Sequence, residues 1–128
     1  LAGTRNLSGL DLSGLHLQDF DFSGVRCVGT SFNDAVLQQG TFAGADCSGA
    51  TFVRARLEQI QFDQSQLDDV DFSAAVLQSV QFRQVQAARW QPRESSWQDV
   101  LFQQSNLQEQ EWLDGHHHQH HDADLGSG

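Results

Sequence analysis

Methionine is absent from the 128 residues, and so is lysine: all seven basic residues are arginine. The first residue is Leu1, so the sequence reads as a trimmed chain or a piece of a longer one. No basic segment followed by an apolar one stands at its start, and nothing marks it for secretion. No apolar run approaches the roughly 20 residues that a membrane-spanning helix requires. One proline and two cysteines do not set a redox compartment by their number alone. A Gly-rich phosphate loop, a zinc motif and a nucleophile elbow are all missing. Those absences remove the usual sequence marks of phosphoryl transfer, zinc chemistry and serine hydrolysis. The chain is expected to be no enzyme and to need no cofactor.

Glutamine, by contrast, is abundant, at about one residue in seven. The formal net charge of −10 is unevenly spread. Glu109, Glu111, Asp114, Asp122 and Asp124 lie at the C-terminal end, where there is no arginine. Residues 1–108 hold twelve acidic and seven basic residues, a net of −5. The main body is therefore only mildly acidic.

The dominant feature is a period of five. Every fifth residue from Leu7 to Phe82 is Leu, Phe or Cys, sixteen in succession. After Ala87 and Pro92 the register returns with Trp97, Phe102, Leu107 and Trp112. Two places before each of these central residues the chain favours small or apolar types, such as Val25, Ala35, Ala45, Ala50 and Val70. The other three positions are mostly polar. An α-helix turns about 100° per residue, so a period of five leaves no fixed apolar stripe. A simple strand alternates with a period of two. Short extended segments joined by corners fit, each pointing two side chains inward, and they bury an apolar face only by stacking.

Repeats such as Phe20-Asp21-Phe22-Ser23-Gly24, Ala45-Asp46-Cys47-Ser48-Gly49 and Val70-Asp71-Phe72-Ser73-Ala74 resemble the pentapeptide-repeat family over roughly residues 2–112. The resemblance implies an all-β fold: a right-handed quadrilateral parallel β-helix, with four repeats per coil of twenty residues. Residues twenty apart do share chemistry. The central columns read Phe22, Phe42, Phe62, Phe82, Phe102; Leu12, Phe32, Phe52, Phe72, Pro92, Trp112; Leu17, Leu37, Leu57, Leu77, Trp97; and Leu7, Cys27, Cys47, Leu67, Ala87, Leu107. Five to six coils are expected, in a rod about 26 Å long. Residues 1–113 are assigned to this domain. Residues 114–128, rich in His, Asp and Gly, are expected to be a disordered tail.

On the outside, Gln18, Gln38, Glu58, Gln78 and Gln98 fall in one column, where stacked amides can bond to each other. Arg26 lies one coil from Asp46, an expected surface ion pair. Glycine often ends the early repeats (Gly9, Gly14, Gly24, Gly29, Gly44, Gly49) and gives way to Gln, Asp, Arg or Ser later. That change predicts a shift of corner geometry midway along the rod. Both ends leave unpaired strand edges to be capped or paired. Gln108–Leu113 could cover the C-terminal one.

Residues 84–96 depart from the pattern. Trp90 stands where a small residue belongs, and Pro92 stands at a central position and removes a ladder donor. One reading is a distorted corner or bulge. The other is a protruding loop offering Arg89, Trp90 and Arg93 to a partner, because exposed Trp and Arg favour binding hot spots. These three are the candidate contact residues. His116, His117, His118, His120 and His121 are weak candidates for divalent metal, since contiguous histidines on flexible chain hold no fixed geometry. Cys27 and Cys47 sit one coil apart. They read better as buried free thiols than as a disulfide, because their side chains run parallel. His16 is read as a surface histidine.

The expectation for function is a non-catalytic scaffold or protein-interaction module. It would be bacterial and cytoplasmic, or part of a larger protein such as a secretion-system adaptor or effector. Its partner would be another protein, with self-association through an end of the helix as a further expectation and no membrane. The resemblance also implies a second reading, because some family members mimic DNA and bind gyrase or topoisomerase IV. A 26 Å mimic would carry about 15 negative charges, far more than this rod offers. Direct nucleic-acid binding is not expected.

Overall fold

In the computed structural model, residues 5–103 and 106–107 are described. Every strand pairs in parallel with one twenty residues away. β1 (His16–Asp21), β2 (Val36–Thr41) and β3 (Arg56–Gln61) are followed by the shorter β4 (Val76–Gln78), β5 (Gln81–Arg83) and β6 (Gln86–Ala87). β7 (Ser96–Gln98), β8 (Leu101–Gln103) and β9 (Asn106–Leu107) complete the set. The order β1-β2-β3-β4-β7 runs along one sheet, with β5 joining β3 to β8, while β6 pairs with β9. Leu17, Leu37, Leu57, Leu77 and Trp97 are direct neighbours in register. Single bridges continue the same offset on the remaining faces, as in Asn6–Arg26–Asp46–Gln66–Gln86 and Asp11–Ser31–Thr51–Asp71–Gln91. The fold is a parallel β-solenoid of about four turns from β1 to β7, slightly fewer than the five to six coils expected.

The interior follows from the columns. Phe42 and Phe62 stack at 5.0 Å with rings 5° apart, and Phe62 and Phe82 at 5.2 Å and 2°. Phe32 and Phe52 stack at 5.0 Å and 11°. The two ladders meet edge to face, with Phe42 and Phe52 at 6.0 Å and 89°. Both arrangements suit the ring quadrupole and add about 1 kcal/mol per pair beyond burial. Small residues complete the packing: Ala35, Ala45, Ala50, Ala55 and Ala75 are all buried. At Gly40 an added Cβ would stand 2.2 Å from the Phe20 ring. That glycine is therefore the socket for a bulky residue one coil earlier.

The corners share one conformation. From Gly9 to Asp99 the residue two places after each central position has a positive φ, +70° to +75° at Gly and +57° to +64° at other residues. The corner geometry does not shift midway, contrary to the expectation drawn from glycine content. Only the residue that adopts it changes, while the backbone stays in the left-handed region.

The repeated Asp before the central residue is explained locally. Asp11, Asp21, Asp46 and Asp71 each accept the backbone N–H of the serine two residues on, at 2.9–3.2 Å. These bonds close Asx-type turns. Elsewhere the same donor is satisfied from the previous coil, as when Val53 N–H donates to Asn33 Oδ1 and Ala88 N–H to Asp68 Oδ1.

Residues 84–96 form no protruding loop. Trp90 is 2 % exposed, and Pro92 is buried too. The ladder runs past the proline: Gln91 N–H donates to Val70 O at 2.9 Å and Phe72 N–H to Gln91 O at 2.8 Å. A central residue sends its N–H toward the following coil, so proline here breaks no bond to the preceding coil. Size compensation accounts for the rest. Ala87 and Pro92 are small where Leu and Phe are usual, and Trp90 is large where Ala is usual. Its ring fills the core at 5.6 Å from Trp97 and 5.9 Å from Phe102. Trp97 Nε1 donates to Ser95 Oγ, and Ser95 Oγ donates to the Pro92 carbonyl.

Candidate interaction surface

With the interior filled, the chemistry of the chain lies on its outer faces. The three residues singled out in sequence separate. Arg89 is exposed and forked onto Asp69, at 2.7 and 2.8 Å. Arg93 is exposed. Trp90 lies in the core, so it is not a contact residue, and the expected Arg-Trp-Arg cluster does not form. The histidines His116, His117, His118, His120 and His121 lie outside the described residues, as do Trp112 and the suggested cap at 108–113. Among the described residues no group of three or more His, Cys, Asp or Glu is placed to hold a metal. His16 is exposed. Cys27 and Cys47 are buried free thiols. Contact with Cys27 and burial push the Cys47 thiol well above its ordinary value, which leaves it a poor nucleophile.

The expected Arg26–Asp46 ion pair is not among those of the described residues. Asp46 turns back onto Ser48, whose N–H and hydroxyl both donate to it. The ion pairs that do form include Asp34–Arg54, Glu58–Arg56, Asp63–Arg83 and Asp69–Arg89. Arg54 holds the Asp34 carboxyl below its usual value, and Arg89 does the same for Asp69. Two of these pairs, Asp34–Arg54 and Asp69–Arg89, join corner residues one coil apart. The amide pairs Gln39–Gln59 at 3.0 Å and Gln64–Gln84 at 3.2 Å use the same position. Sequence reasoning missed this corner ladder. Sorting the last repeat position by twenties would have revealed it, because the neighbouring types are complementary.

Two adjoining faces, carried by β1–β5, β7 and β8, form one long surface. Its outer side chains include Gln38, Gln39, Gln59, Gln61, Gln64, Gln78, Gln81, Gln84 and Gln98, with exposed Val76 among them. Gln38 donates to Glu58 at 3.0 Å, and Arg56 holds the other carboxylate oxygen of Glu58 at 3.1 Å. The charges in the middle of this surface thus compensate each other. Shallow clefts of about 450–480 Å³ open on it, one lined by Asp63, Gln64, Arg83, Gln84 and Gln103, another by Gln78, Ser96, Gln98 and Asp99.

A family model for a pentapeptide repeat region matches residues 38–112, more than half of the chain. The chain belongs to the pentapeptide-repeat family. A second model of the family, pentapeptide repeats in eight copies, matches residues 6–39. Comparison with curated proteins gives no match. Among solved structures, a pentapeptide repeat protein from the thylakoid lumen of Arabidopsis thaliana is 27 % identical with a TM-score of 0.66. The match covers 69 % of this chain and 61 % of that one, so this chain spans about three fifths of that relative. A pentapeptide repeat protein from the cyanobacterium Nostoc is 17 % identical with a TM-score of 0.55, over 88 % of this chain and 82 % of that one. Full-length QnrB1, a plasmid-mediated fluoroquinolone resistance protein, is 14 % identical over 97 % and 94 % of the two chains. Its TM-score is 0.36, and at that value no common function is read across.

Proposed function

We propose that this pentapeptide-repeat chain is a non-catalytic interaction module that docks another protein on its glutamine-lined face. The observation that carries the reading is the contrast between faces and core. Many of the side chains able to do chemistry, among them Asp34, Asp46, Asp69, Arg54 and Arg89, are tied into turns, corner ladders and ion pairs. The face over β2, β3 and β4 instead offers the amides of Gln38, Gln39, Gln59, Gln61 and Gln78 around the mutually compensated Arg56–Glu58 pair, beside Val76. Amide groups recognise backbone and side-chain polar groups without a large desolvation penalty. A reducing compartment such as the cytoplasm fits the two free thiols.

The test is affinity capture from the source cell with the wild-type protein and with Gln59→Arg and Gln78→Arg. A specific partner should be retained by the first and lost from both variants, while the denaturation midpoint stays within about 0.5 kcal/mol. Equal capture by all three would remove the face from consideration. A gyrase supercoiling assay addresses DNA mimicry. No inhibition is expected, and inhibition at submicromolar protein would reverse the ranking.

A further inference from the structure

We propose that the partner protein meets this surface with an acidic side chain, and that Arg83 takes its carboxylate in the cleft between Asp63 and Gln103. The proposal rests on the glutamine-lined surface being a docking face, and it names the chemical group that surface selects.

The ion-paired arginines of the outer faces are not equally engaged. Arg54 is forked onto Asp34 at 2.8 and 3.0 Å, and Arg89 onto Asp69 at 2.7 and 2.8 Å. Arg56 bonds to Glu58 at 3.1 Å. Arg83 differs. Its Nε stands 3.6 Å from Asp63 Oδ2, an ionic contact too long for a hydrogen bond. Asp63 is bonded to the backbone instead, its Oδ1 accepting the Arg83 N–H at 3.3 Å. The acid therefore lies close to the chain, with 23 % of its side chain exposed, while 49 % of the Arg83 side chain is exposed. Among the described residues no side chain accepts a hydrogen bond from the two terminal nitrogens of this guanidinium.

Arg83 also lines a cleft of about 480 Å³, together with Ala43, Asp63, Gln64, Gln84 and Gln103. The lining suits a carboxylate. The terminal N–H groups of a guanidinium form a fork that matches both carboxylate oxygens. Asp63 is the one acid of the described lining and faces the Nε edge, so the fork is left for a ligand. Gln64 donates to Gln84 at 3.2 Å, which holds two of the surrounding amides in place. A cationic side chain would meet the charge of Arg83, and a neutral amide would offer the fork one oxygen instead of two. Arginine in a recess of a polar surface is also a residue type that carries binding energy at interfaces.

The test is nuclear magnetic resonance titration of the full chain at low salt with two blocked peptides, acetyl-Ala-Glu-Ala-amide and its Gln counterpart, up to roughly 10 mM. The Glu peptide should shift the Arg83 side-chain N–H signals and the Gln64 amide saturably, with a Kd on the order of 1 mM. The Gln peptide should not. Arg83→Gln should weaken binding at least about tenfold, and Arg83→Lys should recover little of it, because it keeps the charge and loses the fork. Arg54→Gln and Arg89→Gln should change binding less than about twofold. Absence of a shift at Arg83 in the wild-type protein would overturn the proposal. So would equal losses in all the arginine variants, full binding by Arg83→Lys, or a stronger response to a tri-alanine peptide with a free C-terminal carboxylate. Capture from the source cell separates this proposal from the docking face itself. A partner retained by Arg83→Gln and lost from Gln59→Arg would sink the carboxylate contact and leave the face standing, and the opposite pattern would do the reverse.

Discussion

The two halves of the solenoid make the same corner in different ways. Up to Gly49 most corners are glycine, with Asp19, Asp34 and Gln39 the exceptions. From Arg54 to Asp99 none is. The φ values stay in one left-handed window, so the later half holds ten L-residues where a side chain is disfavoured by about 1–2 kcal/mol each. In return it gains side chains that bond to corners one coil away, such as Arg54 to Asp34, Gln59 to Gln39, Gln84 to Gln64 and Arg89 to Asp69. The core diverges as well. The column of Trp90 holds Thr30 and Ala50 in the earlier coils, while the central column holding Pro92 shrinks from phenylalanine. Backbone comfort dominates early, and side-chain compensation dominates late.

The strongest way to break the later half is Trp90→Ala. Truncating a buried tryptophan leaves a cavity and should lower unfolding free energy by about 3–5 kcal/mol, read from urea denaturation. Size compensation makes a further demand. In the Trp90→Ala background, Pro92→Phe would resume the stack on Phe72 and should recover about 1 kcal/mol or more. The same Pro92→Phe change in the wild-type background should overpack and destabilise by about 1–3 kcal/mol. Equal effects in both backgrounds would show that Trp90 and Pro92 are not coupled.

That pair also marks how far the fold was legible. The fivefold spacing of Leu, Phe and Cys requires stacked short strands, and the sorting of Phe from Leu by twenties identifies the coil. Both are inward positions, where packing admits few residue types. Trp90 and Pro92 looked like a broken repeat because each was compared with its own column. Their volumes make sense only together, as the two inward positions of one segment between the corners at Arg89 and Glu94, and comparison within single columns does not show that. The glutamine column was legible because its members are alike. The corner ladder was harder, since Asp34 with Arg54 is a pair of unlike residues at a position expected to be glycine. Arg26 and Asp46 show the opposite error: sequence proximity in the stack suggested a pair, yet a serine two residues away competes for the carboxylate at far lower entropic cost.

Corner substitutions sharpen the comparison at a smaller scale. Ala74 has φ +60° and no side-chain partner to lose, so Ala74→Gly should stabilise by about 0.5–1 kcal/mol. Gly49→Ala should destabilise by a similar ~0.5–1 kcal/mol. The added methyl would find ordinary space, 3.8 Å from Gly29 N, so that loss isolates the backbone term. Arg54→Gly should come out near zero, because relief at φ +62° is offset by losing the exposed Asp34 pair, worth about 0.2–1 kcal/mol. Matching gains at Ala74 and Arg54 would mean the corner ladder contributes nothing.

The smallest effect separates the carboxylates of the two strategies by acid and salt. Hydrogen bonds from Ser13 and Ser23 hold Asp11 and Asp21 below the usual carboxylate value. Asp34 and Asp69 are lowered by Arg54 and Arg89. In each case the folded protein binds its proton less readily than the unfolded chain does. The stabilisation is therefore complete above the unfolded value of about 3.9 and is lost as pH falls through the folded values. All four groups are solvent-facing, so the decline should be gradual and modest. Salt distinguishes them: the arginine-held pair is screened at high ionic strength more than the serine-held pair, where the charge of Arg5 makes only the smallest contribution at Asp21. Denaturation midpoints below pH of about 4 should therefore depend on salt less in a variant carrying Asp34→Asn and Asp69→Asn than in one carrying Asp11→Asn and Asp21→Asn. The reverse order would assign the acid sensitivity to the serine-held carboxylates and remove the ion pairs from the account of how the later corners are held.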